Sequence, residues 1–225
     1  MDMLQPSHRR YGPPSTRGPG RPGGDAADQR KSLLDAAIRI YTREGIAAAR
    51  LRDIAAEAQV TPALIGYYFG GKEQLAQAVV EERIIPAVTT LQRHVQKAGD
   101  DVRELVSEFL HAVHEIVDQY PWLPALWMRE ILNESGALRD VLLKRLAPQD
   151  PCMVVDRFVA AQQRGALNAD LDPRLLVVSL IGLTFFPLAA ESIWRQLFNA
   201  DGIDTTALLQ HTQALLDRGL ETKAD

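Results

Sequence analysis

A single cysteine, Cys152, occurs in the 225 residues. It excludes a disulfide framework within the chain and any zinc site built on cysteines, and it fits a reducing cytoplasm. Signatures of catalysis are equally scarce. No glycine-rich phosphate loop follows a strand, no nucleophile elbow is present, and no carboxylate pair sits in a motif. His111 and His114 stand three apart and could share a metal with Glu115 or Asp118, but no third ligand is indicated. Two partly exposed histidines are expected instead, with no metal and no cofactor. Strand-like alternation of apolar and polar residues is also missing, so the fold is expected to be all-α. The first residues lack an apolar h-region, and no secretory signal is expected. The longest run without charge, Leu175 to Ala190, is sixteen residues between Arg174 and Glu191. A spanning helix needs about 20 apolar residues, and Ser179, Gly182, Thr184 and Pro187 interrupt this run. A helix buried on all sides is expected there, not a membrane span.

What is present points to a folded chain with two kinds of surface. Hydrophobic residues make up 46% of it, enough to bury a core. The formal charge of −4 divides unevenly: residues 1–72 hold 11 Lys and Arg against 7 Asp and Glu, leaving the rest at a net −8. A basic head on an acidic body is the pattern of a protein that meets nucleic acid with one end. Residues 1–24 hold five prolines, five glycines and four arginines, and are expected to form a flexible arm. Within it Gly20-Arg21-Pro22-Gly23 resembles the core of an AT-hook. Minor-groove contact by Arg17 or Arg21 and a solvated tail are equally good readings of so short a string.

Residues 45–73 carry the sharpest signal. Ile54, Ala55 and Ala58 make an apolar stripe on a short helix starting near Leu51, and the chain turns through Gln59 and Val60. Thr61 then suits an N-cap and Pro62 the first helical position. The second helix ends at Gly70-Gly71, buries Leu64, Ile65 and Phe69, and leaves Ala63, Gly66, Tyr67 and the edge of Tyr68 outward. Small residues there let the backbone approach base edges, while tyrosine hydroxyls and Lys72 suit phosphates. A longer helix runs on from Lys72 toward Lys97, with Pro86 expected to break its ladder near Arg83 to Ile85.

The stretch from about Gln29 to Glu82 resembles the N-terminal DNA-binding domain of the TetR/AcrR family of transcriptional regulators. The matching positions are Gly45, Arg50-Leu51-Arg52-Asp53-Ile54-Ala55, Gln59-Val60-Thr61, Ile65-Gly66-Tyr67-Tyr68-Phe69 and Lys72-Glu73. Three departures stand out. Arg50 replaces a capping threonine, Gln59 replaces the turn glycine at a position expected to be left-handed, and Gly66 replaces a frequent tyrosine. The resemblance implies an N-terminal helix-turn-helix domain (residues 25–72) followed by a helical effector-binding and dimerisation domain (73–225). It implies a repressor that binds a pseudo-palindromic operator in double-stranded DNA as a homodimer and is released by a small apolar or amphipathic molecule. Arg50, Arg52, Thr61, Pro62, Ala63, Gly66, Tyr67, Tyr68 and Lys72 are the expected DNA contacts. A regulator controlled by a protein partner is the alternative within this class. An all-α enzyme is the alternative from another class, and would show turnover without DNA affinity.

The body reads as successive helices: 101–119, 122–133, 135–146, 152–167, 172–198 and 204–220. By the resemblance the last two long ones, about 173–198 and 204–220, pair with their symmetry mates. A ligand wall is expected around Trp122, Trp127 and Glu130, where rigid aromatics neighbour polar groups. Phe109, Phe158, Phe185 and Phe186 are further candidates.

Overall fold

The computed structural model describes residues 22–133, 136, 138–139 and 150–221. The arm at 1–24, except its last three residues, and the helix expected at 135–146, except residues 136, 138 and 139, lie outside the described residues. Every described element is helical: α1 Pro22–Glu44, α2 Leu51–Glu57, α3 Pro62–Phe69, α4 Lys72–Val79, a π-helical turn Val80–Ile84, α5 Ile85–Lys97, α6 Val102–Gln119, α7 Leu123–Leu132, α8 Asp150–Gln163, α9 Pro173–Ala189, α10 Glu191–Phe198 and α11 Thr205–Leu220.

Local chemistry sets the boundaries. Gly45, at φ +89°, closes α1 by donating its N–H to the Tyr41 carbonyl at 2.8 Å. Asp101 caps α6 by accepting from the amides of Arg103 and Glu104, and Asp172 and Asp204 cap α9 and α11 in the same way. Thr61 occupies the N-cap position of α3, but its side chain accepts no capping bond. The cap expected there is therefore weaker, held by backbone geometry and Pro62.

Two apolar cores form. The first gathers α1 to α4, the π turn and the start of α5, with Tyr41, Ile54, Ile65 and Leu75 fully buried, and also takes in Leu123 and Leu126 of α7. The second gathers α6, α8, α9 and α11 around Val106, Phe158, Ala161 and Leu180. Packing thus crosses the sequence boundary at residue 72, because α7 belongs partly to the head.

Pro86 accounts for the π turn. A proline in a continuous α-helix clashes with the carbonyl four residues back, and here the ladder widens so that Ile85 donates its N–H to Val80. The helix expected over 172–198 is broken. α9 and α10 meet at a 73° bend, following Pro187. Proline leaves the Leu183 carbonyl without its helical donor, and the buried Thr212 hydroxyl of α11 lies 3.3 Å from it, sharing its one hydrogen with the Leu208 carbonyl at 3.0 Å. Beyond the bend Trp194 donates its indole N–H to the Pro187 carbonyl at 2.8 Å. No single described helix is long and apolar enough to cross a membrane.

Candidate nucleic-acid interface and effector cavity

The α2–α3 turn closes through the Val60 amide on the Ala55 carbonyl at 2.9 Å, with Gln59 at φ +56°. A non-glycine residue in that conformation costs about 1 kcal/mol, and the burial of Ile54 and Ile65 on either side offsets it. The outer face of α3 presents Pro62, Ala63, Gly66 and Tyr67, all exposed, Tyr67 at 82%. Tyr68 is half-buried, its ring edge-on to Tyr67 at 5.3 Å. Leu64, expected inside, is only half-buried, since Ile65 and Phe69 fill the contact with the head's core.

Cations and free donors surround this face. Arg50, exposed, precedes α2, and Arg52 lies two residues on with Asp53 beside it at 3.4 Å. The uncapped Thr61 hydroxyl is free to meet phosphate. Lys72 differs from expectation: its ammonium donates to the Ala47 carbonyl at 2.6 Å, tying α4 to the loop after α1. Two donors are left over, so phosphate contact and this tie are compatible.

The head is fastened to the π turn by two ion pairs. Arg30 pairs with Glu82 through both carboxylate oxygens, one at 2.6 Å, and lies 4.8 Å over the Phe69 ring of α3. The hydrogen bond from Arg30 holds the Glu82 carboxyl below the ordinary carboxylate range. Arg83 reaches Asp35 of α1 at 3.1 Å. A side chain that touches the base of α3 thus grips the π turn as well.

A cavity of about 200 Å³ lies in the body, walled by α5, α6, α7, α8 and α9. Of the residues expected on a ligand wall, Phe109, Trp127 and Phe185 line it, the last two 6.1 Å apart. The other four do not. Trp122 packs on the head's core and against Tyr120, Phe158 is fully buried in the second core, and Phe186 faces out at 59% exposure, because adjacent helical residues point about 100° apart. Glu130 is buried but faces the head, where it accepts the Ile46 N–H at 2.9 Å. Its charge adds to burial in pushing the Tyr41 hydroxyl up to about 12. Nothing local in the sequence signals this bond, which spans 84 positions.

A second polar seam joins α5 to α6. His94 contacts Glu108 at 2.6 Å and Glu115 at 3.0 Å, and Lys97 and Arg93 pair with the same two carboxylates. Among the described residues no cluster of His, Cys, Asp and Glu has the arrangement of a metal site. On the far side of the body α9 and α10 expose Leu175, Val178, Phe186, Ile193, Leu197 and Phe198, all at least 59% accessible. Exposed apolar side chains grouped on two successive helices leave a surface suited to a partner.

The comparisons with known proteins agree with this architecture. A profile described as bacterial regulatory proteins, tetR family, matches residues 33–79. The chain is similar to the HTH-type transcriptional repressor NicS of Pseudomonas putida, 35% identical over 76% of this chain and 81% of that one. It is 30% identical to the HTH-type nicotine-responsive transcriptional repressor HdnoR of Paenarthrobacter nicotinovorans, over 55% of this chain and 57% of that protein. With BetI of Rhizobium meliloti it shares 33% identity over 49% of that regulator, so the match spans about half the length of these two relatives. Among solved structures it resembles the ketosteroid transcriptional regulator KstR2 of Mycobacterium tuberculosis, with a TM-score of 0.71 at 17% identity, covering 87% of this chain and 96% of that one. At that identity the likeness concerns the fold.

Proposed function

The chain belongs to the TetR family of bacterial regulatory proteins, and from that premise we propose that it is a cytoplasmic, homodimeric repressor released from its operator by a small, largely apolar molecule. The observation that carries this reading is the apolar cavity in the body. Two of its walls lead directly to the reading head: α5 continues back through the π turn into α4, and α7 ends one turn past Trp127 on the Glu130 contact to Ile46. A molecule that spreads α5 and α7 changes both attachments of the head at once. The Arg30 and Arg83 clamps would carry the motion of the π turn to α1 and to Phe69 at the base of α3.

In the DNA-bound form α3 would lie in the major groove, Gly66 and Ala63 against base edges, with Arg50, Arg52, Thr61, Pro62, Tyr67, Tyr68 and Lys72 around them on phosphates and sugars. One such helix offers few contacts. Two, about one DNA turn apart, read a pseudo-palindrome, and the exposed apolar face of α9 and α10, with α11 behind it, is the surface on which we pair the protomers. Where two long helices, about 173–198 and 204–220, are expected from the sequence, the first is the bent pair α9 and α10.

The experiment is retention of fragments of the protein's own genomic DNA on the purified dimer. The expected result is a small set of promoter fragments held with steep salt dependence and released by the effector. A protein that turns over substrate but retains no DNA is an enzyme, and one that releases DNA only with a second protein has a protein effector.

A further inference from the structure

The cavity wall is nearly all hydrocarbon and aromatic, but its polar corner has one sign. Gln92 and Gln96 of α5 face it together with Arg157 of α8, and among the described residues Arg157 is the one charged group on the wall. Arg157 donates one N–H to the Val95 carbonyl at 2.6 Å, which seats the guanidinium between the two glutamines' turns of α5. Among the described residues it has no carboxylate partner. A half-buried cation beside an apolar cavity and without an anion is poorly solvated, and a carboxylate brought by a ligand would meet it with two parallel charge-assisted hydrogen bonds. A ligand ammonium would find like charge and no acceptor of opposite sign. The body as a whole is acidic, but exposed charges beyond about a Debye length are screened, so Arg157 sets the field inside.

We infer that the effector is a small apolar acid, its carboxylate on Arg157 beside Gln92 and Gln96 and its hydrocarbon body toward Trp127 and Phe185. This deepens the repressor reading and rests on it.

Three probes of one length separate the possibilities: octanoate, octan-1-ol and octylamine, titrated calorimetrically into the full-length protein at neutral pH. Octanoate is expected to bind about ten- to a hundredfold tighter than the alcohol, the worth of a hydrogen bond to a charged group, and the amine weakest. Arg157→Gln keeps an N–H for the Val95 carbonyl, and is expected to bind octanol as before while losing the octanoate advantage. Arg157→Lys keeps the charge and should retain most of it. Unchanged octanol binding certifies the fold of both variants. Amine binding equal to or tighter than octanoate overturns the inference, as does an Arg157→Gln protein that still prefers the acid, or a wild type that binds none of the three. DNA retention is scored separately. Octanoate that binds through Arg157 yet releases no DNA leaves the ligand class standing and removes the repressor reading, whereas octylamine that binds at least as tightly as octanoate and releases DNA does the reverse.

Discussion

Replacing Glu130 tests the link between cavity and reading head. The carboxylate is 3% exposed and accepts the Ile46 N–H at 2.9 Å, at the start of the loop that leads from α1 into α2. A hydrogen bond to a charged group contributes about 1.5–3 kcal/mol and a neutral one about 0.5–1.5, so Glu130→Gln, which keeps an acceptor oxygen, should cost about 1 kcal/mol. Glu130→Ala leaves the Ile46 amide buried without a partner and should cost about 2–3 kcal/mol. For a chain of this size that corresponds to roughly 2–4 °C in Tm for the first and 4–12 °C for the second. Calorimetric melting of the ligand-free dimer reads the stability. DNA affinity with and without a saturating effector reads the coupling, which should shrink in Glu130→Gln from the typical 5- to 150-fold toward unity while ligand affinity changes little. If Glu130→Ala melts with the wild type, the bond contributes nothing. A Glu130→Gln protein that melts as expected but responds fully to effector would leave α5 as the whole route of transmission.

Gly66→Ala should stabilise the head by about 0.5–1 kcal/mol, since a Cβ there meets nothing within 4 Å, yet weaken DNA binding by filling the space kept for base edges. Melting and DNA titration of one sample check the opposite signs, and tighter DNA binding would show that α3 does not approach the groove by this face. Leu197→Asp, at a side chain 68% exposed in the isolated chain, should shift the dimer to monomer in analytical ultracentrifugation with little change in helicity. A dimer that persists would move the interface off α10. The Glu108 carboxyl is held below the ordinary range by its hydrogen bonds from Lys97 and then from His94. A depressed folded-state pKa adds stability that is complete above the ordinary carboxylate value, about 4.3, and is lost as pH falls from there through the lower folded-state value. Glu108→Gln should therefore destabilise the protein at neutral pH and flatten its acid limb in pH-dependent melting; an unchanged limb would mean that this seam does not titrate with folding.

Helix boundaries and the reading head were legible because their causes are local. Thr61-Pro62, the apolar spacing of Ile54, Ile65 and Phe69, and Gly70 lie within a few positions of the effects they produce, and Gln59 could be assigned a left-handed conformation from its place in the turn. The cavity was legible only by half. Aromatic character marks a residue as interior, but it does not say which interior: Phe158 fills a core, Trp122 braces the head, and Phe185 and Phe186 part to different faces. Glu130 read as a pocket group because acids beside tryptophans suit ligands, and its true partner is a backbone amide, which carries no sequence signature. Arg157 was missed for the same reason, since its partner is the Val95 carbonyl. Pro187 was visible as an interruption, but the depth of the bend depends on Thr212 and Trp194, which arrive from other elements.

The π turn at Val80–Ile84 also fixes a phase. Leu75 and Val79 point into the head, while Leu91 and Val95 point into the cavity, and the step from Val79 to Ile84 is one residue longer than the four that separate successive inward positions on either side. In an unbroken α-helix an extra residue would turn everything downstream by about 100° about the common axis, and the wide turn takes it up locally, so that Leu91 and Val95 stay inward. A turn tightened into regular α-helix at the present length would keep nearly every side chain but aim the cavity's wall elsewhere. The geometry of the turn therefore aligns sensor with reader as firmly as the composition of either.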